Sequence, residues 1–279
     1  MSKNESRFWR KMFGASLGLA FLSAPVTAMA QASVDARNIM ERVYGQDTSH
    51  DFTMKADFEV YDRQGQSAKK EFTYMRIGTP EDKKTLVAFT APKEIRGVVL
   101  LSINQHGTVA NQAAASQYVY TPATERVRSV VQQERSARFI GTDFTFEDIG
   151  EGVLDGFNYK LIGEADSIDG HKTYKIEATP VEQGRSQYKY IYYWVAQDVP
   201  VILFAEFYDA QGREVRVLHA TTLKRENGVW GARHTEMRTV ADGTRTVLTI
   251  NGVKFNTKPD EKLFTPQGMV EVLGNSAGK

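Results

Sequence analysis

The chain predicts a mainly β protein built on one large antiparallel sheet, and three observations carry that prediction. Apolar and polar residues alternate with a period of two through most of the chain. Turn-forming pairs (Asp155-Gly156, Asp169-Gly170, Gln211-Gly212, Asn227-Gly228 and Asp242-Gly243) separate the later alternating runs. Helical segments do not alternate with the strands, which excludes doubly wound and TIM architectures.

Taken in order, the elements begin with an export signal. Lys3, Arg7, Arg10 and Lys11 precede an apolar run from Met12 to Val26, and Ala28-Met29-Ala30 supplies the small residues of a cleavage site. The run is shorter than the ~20 apolar residues a spanning helix needs. Residues 1–30 are therefore expected to be a cleaved signal peptide, with cleavage after Ala32 as a variant, and 31–279 a single domain without a Pro- or Ser-rich linker. A helix should open that domain. Ser33 is its expected cap, Ile39, Met40, Val43 and Tyr44 share one face, and Gly45 ends it.

The period then changes to two. Phe52, Met54, Ala56, Phe58 and Val60 alternate with Thr53, Lys55, Asp57, Glu59 and Tyr61, and after a turn at Arg63-Gln64-Gly65 the chain returns over Phe72–Ile77. Further strands are expected at 84–90, 96–104, 116–121, 125–131, 157–163, 171–179, 187–196, 200–208, 213–224, 229–240 and 244–255. Tyr61-Asp62-Arg63-Gln64-Gly65 and Tyr208-Asp209-Ala210-Gln211-Gly212 echo each other, as one hairpin geometry used twice would.

One interruption stands out, at about 132–153. A segment of this length without a strand is uncommon in a compact domain and usually functional. It carries Phe139, Ile140, Phe144, Phe146 and Ile149, which should cover something apolar, such as an open face of the sheet. Asp143 or Thr142 could cap a short helix through Glu147 and Asp148.

Composition removes whole classes of function. The 279 residues hold 35 Lys+Arg against 34 Asp+Glu and no cysteine. That balance argues against a nucleic-acid partner. The missing cysteine excludes disulfides, thiolate metal sites, a cysteine nucleophile and a lipid-bearing cysteine. Signal cleavage removes four basic residues and Glu5, leaving 31 basic against 33 acidic. His50, His106, His171, His219 and His234 show no metal-ligand spacing. The only G-x-S-x-G, at Gly14–Gly18, falls inside the signal. No P-loop or dinucleotide motif is present, so no cofactor is expected. Asp143, Glu147 and Asp148 are the one carboxylate cluster a hydrolase could use, and a capped helix explains them equally.

Aromatic stripes are more informative. Tyr188, Tyr190, Tyr192 and Trp194 share one face of a strand, with Ile191, Tyr193 and Val195 on the other; the next strand is also apolar on both faces. A sheet covered on both sides explains this, and so does a curved sheet bordering an apolar cavity.

At Tyr118-Val-Tyr-Thr-Pro122, Glu125-Arg-Val-Arg128, Arg138–Ile149, Trp194 and Phe207-Tyr-Asp-Ala-Gln-Gly212 the chain resembles the outer-membrane lipoprotein-sorting-protein-like periplasmic family. That family includes a treponemal lipoprotein and shares the fold of the lipoprotein carriers LolA and LolB. The resemblance implies an incomplete antiparallel β-barrel of about eleven strands, with an N-terminal helix and an apolar cavity under a helical lid. It implies a carrier of lipid or lipoprotein across the periplasm, working beside an RND/MMPL-type exporter, and no catalytic residue. Phe139, Ile140, Phe144, Phe146 and Ile149 would be lid contacts, Ile39, Met40 and Val43 a second cover, and Tyr192 and Trp194 cavity wall. The absent cysteine means no lipid anchor, and so a diffusing shuttle. A periplasmic adaptor or stress sensor without bound lipid is the alternative.

Overall fold

The computed structural model describes residues 35–47, 49–79, 82–104, 116–150, 154–182 and 184–272. The expected signal segment and its expected cleavage site, Ser33 and residues 151–153 of the expected lid lie outside them. The described residues cluster as one compact unit.

Helix α1 (Ala36–Tyr44) is capped by Asp35, whose carboxylate accepts the N–H of Arg37 at 3.1 Å. It stops at Gly45 as expected, though with φ −93° and so outside the left-handed region. Thirteen strands follow among the described residues, more than the eleven or so the resemblance implies. They are β1 (Asp51–Tyr61), β2 (Ser67–Gly78), β3 (Lys83–Ala91), β4 (Val99–Asn104), β5 (Ser116–Thr121), β6 (Arg126–Ser129), β7 (Phe157–Ile168), β8 (His171–Pro180), β9 (Tyr190–Ala196), β10 (Ile202–Tyr208), β11 (Glu214–Glu226), β12 (Val229–Thr239) and β13 (Thr244–Phe255). A single turn of helix, α2 (Phe146–Ile149), lies between β6 and β7. Strand β2 starts at Ser67, before the expected Phe72, because its first residues are solvated and show no apolar alternation.

All thirteen strands form one antiparallel sheet in the order β6-β5-β4-β3-β2-β1-β13-β12-β11-β10-β9-β8-β7. Two meanders run in opposite directions from the centre, joined where β1 pairs with β13. The β6–β7 connection must therefore carry the chain from one edge of the sheet to the other, and the interrupting segment is that crossover. The sheet stays open, as an incomplete barrel does, with its edges at β6 and β7. Bulges at Lys55/Ala56, Leu161/Gly163 and Ile202/Phe204 bend it.

One face carries the main core, with Met40, Phe58, Phe89, Phe139, Ile176, Val195 and Met237 among its buried side chains. A second core lies on the other face of β2–β5, where Met75, Leu86, Val99 and Leu101 meet Leu263, Phe264, Met269 and Val272 of the C-terminal segment. Burial on two faces explains why Thr85–Phe89 is buried at every position.

Candidate functional site

The crossover folds back beneath the sheet. Phe139 donates its N–H to Phe144 O at 2.8 Å, and Thr142 donates to Phe139 O at 3.0 Å. Between them Ile140 (φ 48°, ψ 41°) and Gly141 (φ 71°) are both left-handed. For a β-branched residue that conformation is strained. Lys70 Nζ fixes it from β2 by donating to Ile140 O at 2.7 Å. The tight loop drives Phe139, fully buried, into a ring cluster: its centroid lies 5.6 Å from Phe89, 5.4 Å from Phe146 and 6.5 Å from Phe58. Phe144 adds a 5.5 Å contact with Phe58. Ile140 and Ile149 pack against the same core, partly buried.

Three carboxylates hold this segment from its polar side. Asp143, fully buried, accepts the hydroxyls of Thr239 (2.6 Å), Thr246 (2.7 Å) and Thr244, and lies 3.3 Å from Arg138. It is thus a pin to the β12–β13 hairpin. The expected cap at Asp143 or Thr142 is corrected: Thr145 caps α2, and Asp148 completes a capping box by accepting the N–H of Thr145 at 2.7 Å. Asp148 also accepts the Tyr188 hydroxyl at 2.7 Å, and that hydroxyl accepts from Arg216 at 2.6 Å. Burial, followed by the Asp148 charge, pushes the Tyr188 phenol well above its usual range. Glu147 accepts the Ser186 hydroxyl and, at 3.0 Å, the N–H of Gln187. Burial raises its carboxyl above the ordinary value, and burial likewise lowers the neighbouring Arg135. All three carboxylates are thus bonded to residues that hold the segment in place. Among the described residues no group of His, Asp and Glu is placed to hold a metal ion.

Helix α1 covers the β7 side of the same core. Ile39 and Met40 are buried and Val43 partly so. Arg37 ties the helix to Asp155 at the start of the second meander. The structure therefore gathers Ile39, Met40, Val43, Phe139, Ile140, Phe144, Phe146 and Ile149 around one core. It does not bring Tyr192 and Trp194 there. Ile191, Tyr193 and Val195 take the core face of β9, so the alternate residues Tyr190, Tyr192 and Trp194 point away. Lys175 Nζ sits over both rings, 4.4 Å from the Tyr192 centroid and 4.2 Å from that of Trp194.

An apolar pocket of about 190 Å³ opens at one end of the core-bearing face. Phe52, Met54, Trp230, Ile250, Val253 and Phe255 line it. Cross-strand pairing builds its floor: Phe52 faces Phe255, Met54 faces Val253 and Ala56 faces Ile250. Charges ring the mouth, with Glu226 bound by Arg233 and by Lys224 at 2.9 Å, and Asp47 paired with Arg76 at 2.9 Å. Gln46, just past α1, bridges the mouth by donating to Pro200 O (3.0 Å) and accepting from Trp230 N–H (2.8 Å). Sequence reasoning missed this pocket. The alternation of Phe52 and Met54 was visible, but register alone sets them opposite Val253 and Phe255.

A family model described as "uncharacterized protein"-like matches residues 81–271. Among solved structures, the chain is similar to a DUF1329 family protein from Desulfovibrio piger, with 24% identity, 82% of this chain and 95% of that one covered, and a TM-score of 0.77. It is similar to a domain assigned as an outer membrane lipoprotein-sorting protein from Vibrio parahaemolyticus (20% identity, 84% and 98% covered, TM-score 0.77). A LolA superfamily protein from Nitrosomonas europaea aligns at 19% identity over 84% and 98% of the two chains, with a TM-score of 0.67. No curated protein matches the chain.

Proposed function

We propose that this chain, which belongs to the uncharacterized-protein-like family whose model matches residues 81–271 and shares the fold of lipoprotein-sorting and LolA superfamily structures, is a periplasmic carrier that shields the acyl chains of a lipid or lipoprotein. The observation that carries this reading is the apolar pocket between β1, β13, β12 and β11, continuous with the core face that the lid and α1 cover. At about 190 Å³ the pocket holds the volume of roughly six waters at ~30 Å³ each. That is enough for a short stretch of acyl chain. A longer chain needs the lid's phenylalanines to withdraw, exposing the larger apolar surface beneath them. Each methylene removed from water contributes about 0.8 kcal/mol, so a chain can replace the lid contacts it displaces. The strained backbone at Ile140 suits a segment that exchanges between two positions.

In this reading residues 1–30 direct export and are removed, and the protein works beside an inner-membrane exporter of the RND/MMPL type. Among the described residues no helix is long and apolar enough to cross a membrane. The test is native mass spectrometry with lipid extraction on protein recovered from the periplasm, alongside titration with an apolar fluorescent dye. Bound acyl chains and saturable dye binding are expected, and Val253→Glu on the pocket floor should abolish both while the circular dichroism stays unchanged. A wild-type protein free of lipid and inert to dye overturns the reading.

A further inference from the structure

Arg216 on β11 pairs directly with Thr239 on β12, and Thr239 pairs with Thr244 on β13. In the next row Met237 pairs with Thr246. Side-chain alternation therefore sets Arg216 and the three threonine hydroxyls on one face, as a contiguous patch of donors. It is the core face, because Phe207 opposite Arg216 and Met237 opposite Thr246 are both core residues.

Two carboxylates of the crossover fill this patch. Asp143 accepts the hydroxyls of Thr239, Thr244 and Thr246. Asp148 accepts the Tyr188 hydroxyl at 2.7 Å and lies 4.0 Å from Arg216. Among the described residues no carboxylate of the sheet bonds any of these groups. Asp242, in the β12–β13 turn, is exposed and paired with Arg138. The Arg216 side chain is only 10% exposed, and its Nε bonds no acceptor among the described residues. A buried guanidinium without a counter-charge is costly, so the patch calls for an anion whether or not the crossover supplies it.

The crossover can leave without breaking the sheet. Between Arg135 and Gly150 its backbone bonds are local, as from Phe146 N–H to Ala137 O, and among the described residues none joins a strand's backbone. Side chains alone attach it.

We propose that this patch, once the crossover withdraws, receives the anionic group, a carboxylate or phosphate, of the amphiphile whose chain the carrier shields. This rests on the carrier reading and narrows the cargo to acidic amphiphiles. Asp143 and Asp148 are then resident stand-ins for that group. Guanidinium and hydroxyl donors together suit an oxyanion, and Arg216 can bond one through two nitrogens. The chain would start on Leu218, Met237 and Leu248, which belong to the core beside the patch. A neutral amphiphile leaves the buried guanidinium unpaired, and that asymmetry sets the preference.

The test is isothermal titration calorimetry of the purified protein with decanoate, decyl phosphate and decanol, which share one alkyl chain. Both anions should bind at least about tenfold more tightly than decanol. Arg216→Gln should bring that ratio to within about twofold, and Thr244→Val, at a half-buried position, should lower it about threefold. Asp148→Asn removes a stand-in and should tighten both anions about threefold, whereas a purely structural Asp148 would not. Circular dichroism checks that each variant is folded; should Arg216→Gln unfold, the other two variants decide. Equal binding of all the probes by the wild type overturns the proposal and leaves the carrier reading standing, while binding of none overturns both. A ratio unmoved by every variant also overturns it, as does inorganic phosphate binding as tightly as decyl phosphate, which would make this a free-ion site.

Discussion

Glu147 shows how a single residue is bound to the position of the crossover segment. Its carboxylate is buried against Ser186 and Gln187, and burial raises its pKa above the ordinary 4.5. The folded chain therefore holds this proton more tightly than the unfolded one. The stabilisation linked to Glu147 is complete below the ordinary value and is lost as pH rises through the raised one. Glu147→Gln carries no charge at any pH, so its melting temperature should gain on that of the wild type as pH rises above the ordinary 4.5. Thermal melts across that range check this, and a difference that does not change with pH refutes it. The Glu147-Asp148 pair and its helical turn were legible in the sequence. Its partners were not, because Ser186 and Gln187 belong to the other meander and meet it only through tertiary packing.

At the level of elements, the β6–β7 crossover is held by an aromatic face and a polar pin. Five apolar residues in a strandless stretch marked the segment as a cover. The polar half was hidden: Asp143 reads as a cap or a catalytic acid until three threonines from β12 and β13 converge on it. Removing that acceptor strands the buried Thr246 hydroxyl and unpairs those of Thr239 and Thr244, while Arg138 keeps Asp242 at 2.7 Å, so Asp143→Ala should cost roughly 1–3 kcal/mol. Denaturant unfolding measures this, and an unchanged midpoint would show that the pin carries no load. The two Tyr-Asp-x-Gln-Gly turns are the opposite case, readable almost completely. In each, the aspartate accepts two backbone N–H groups (from Gln64 and Gln66, and from Gln211 and Arg213), and a left-handed glycine, Gly65 or Gly212, closes the turn. Such turns are local, and local chemistry decides them.

For the whole molecule, the pairing of β1 with β13 makes the middle of the sheet from the two ends of its strand sequence. Strand β1 is paired on both sides from Phe52 to Tyr61, whereas edge strand β6 is paired on one side over four residues. Hydrogen exchange should therefore be slowest in β1 and β13, with β6 amides at least about a hundredfold faster. Protection in β6 equal to that in β1 would contradict this. The same pairing forces the β6–β7 crossover from one edge of the sheet to the other.

Alternation, turn chemistry and the apolar crossover were determined by the sequence, because each depends on residues close along the chain. The faces that meet were decided by the tertiary structure. Placing Phe52 against Phe255, turning Tyr192 and Trp194 away from the core, and aligning Arg216 with Thr239 all depend on register between strands, and register is a long-range property.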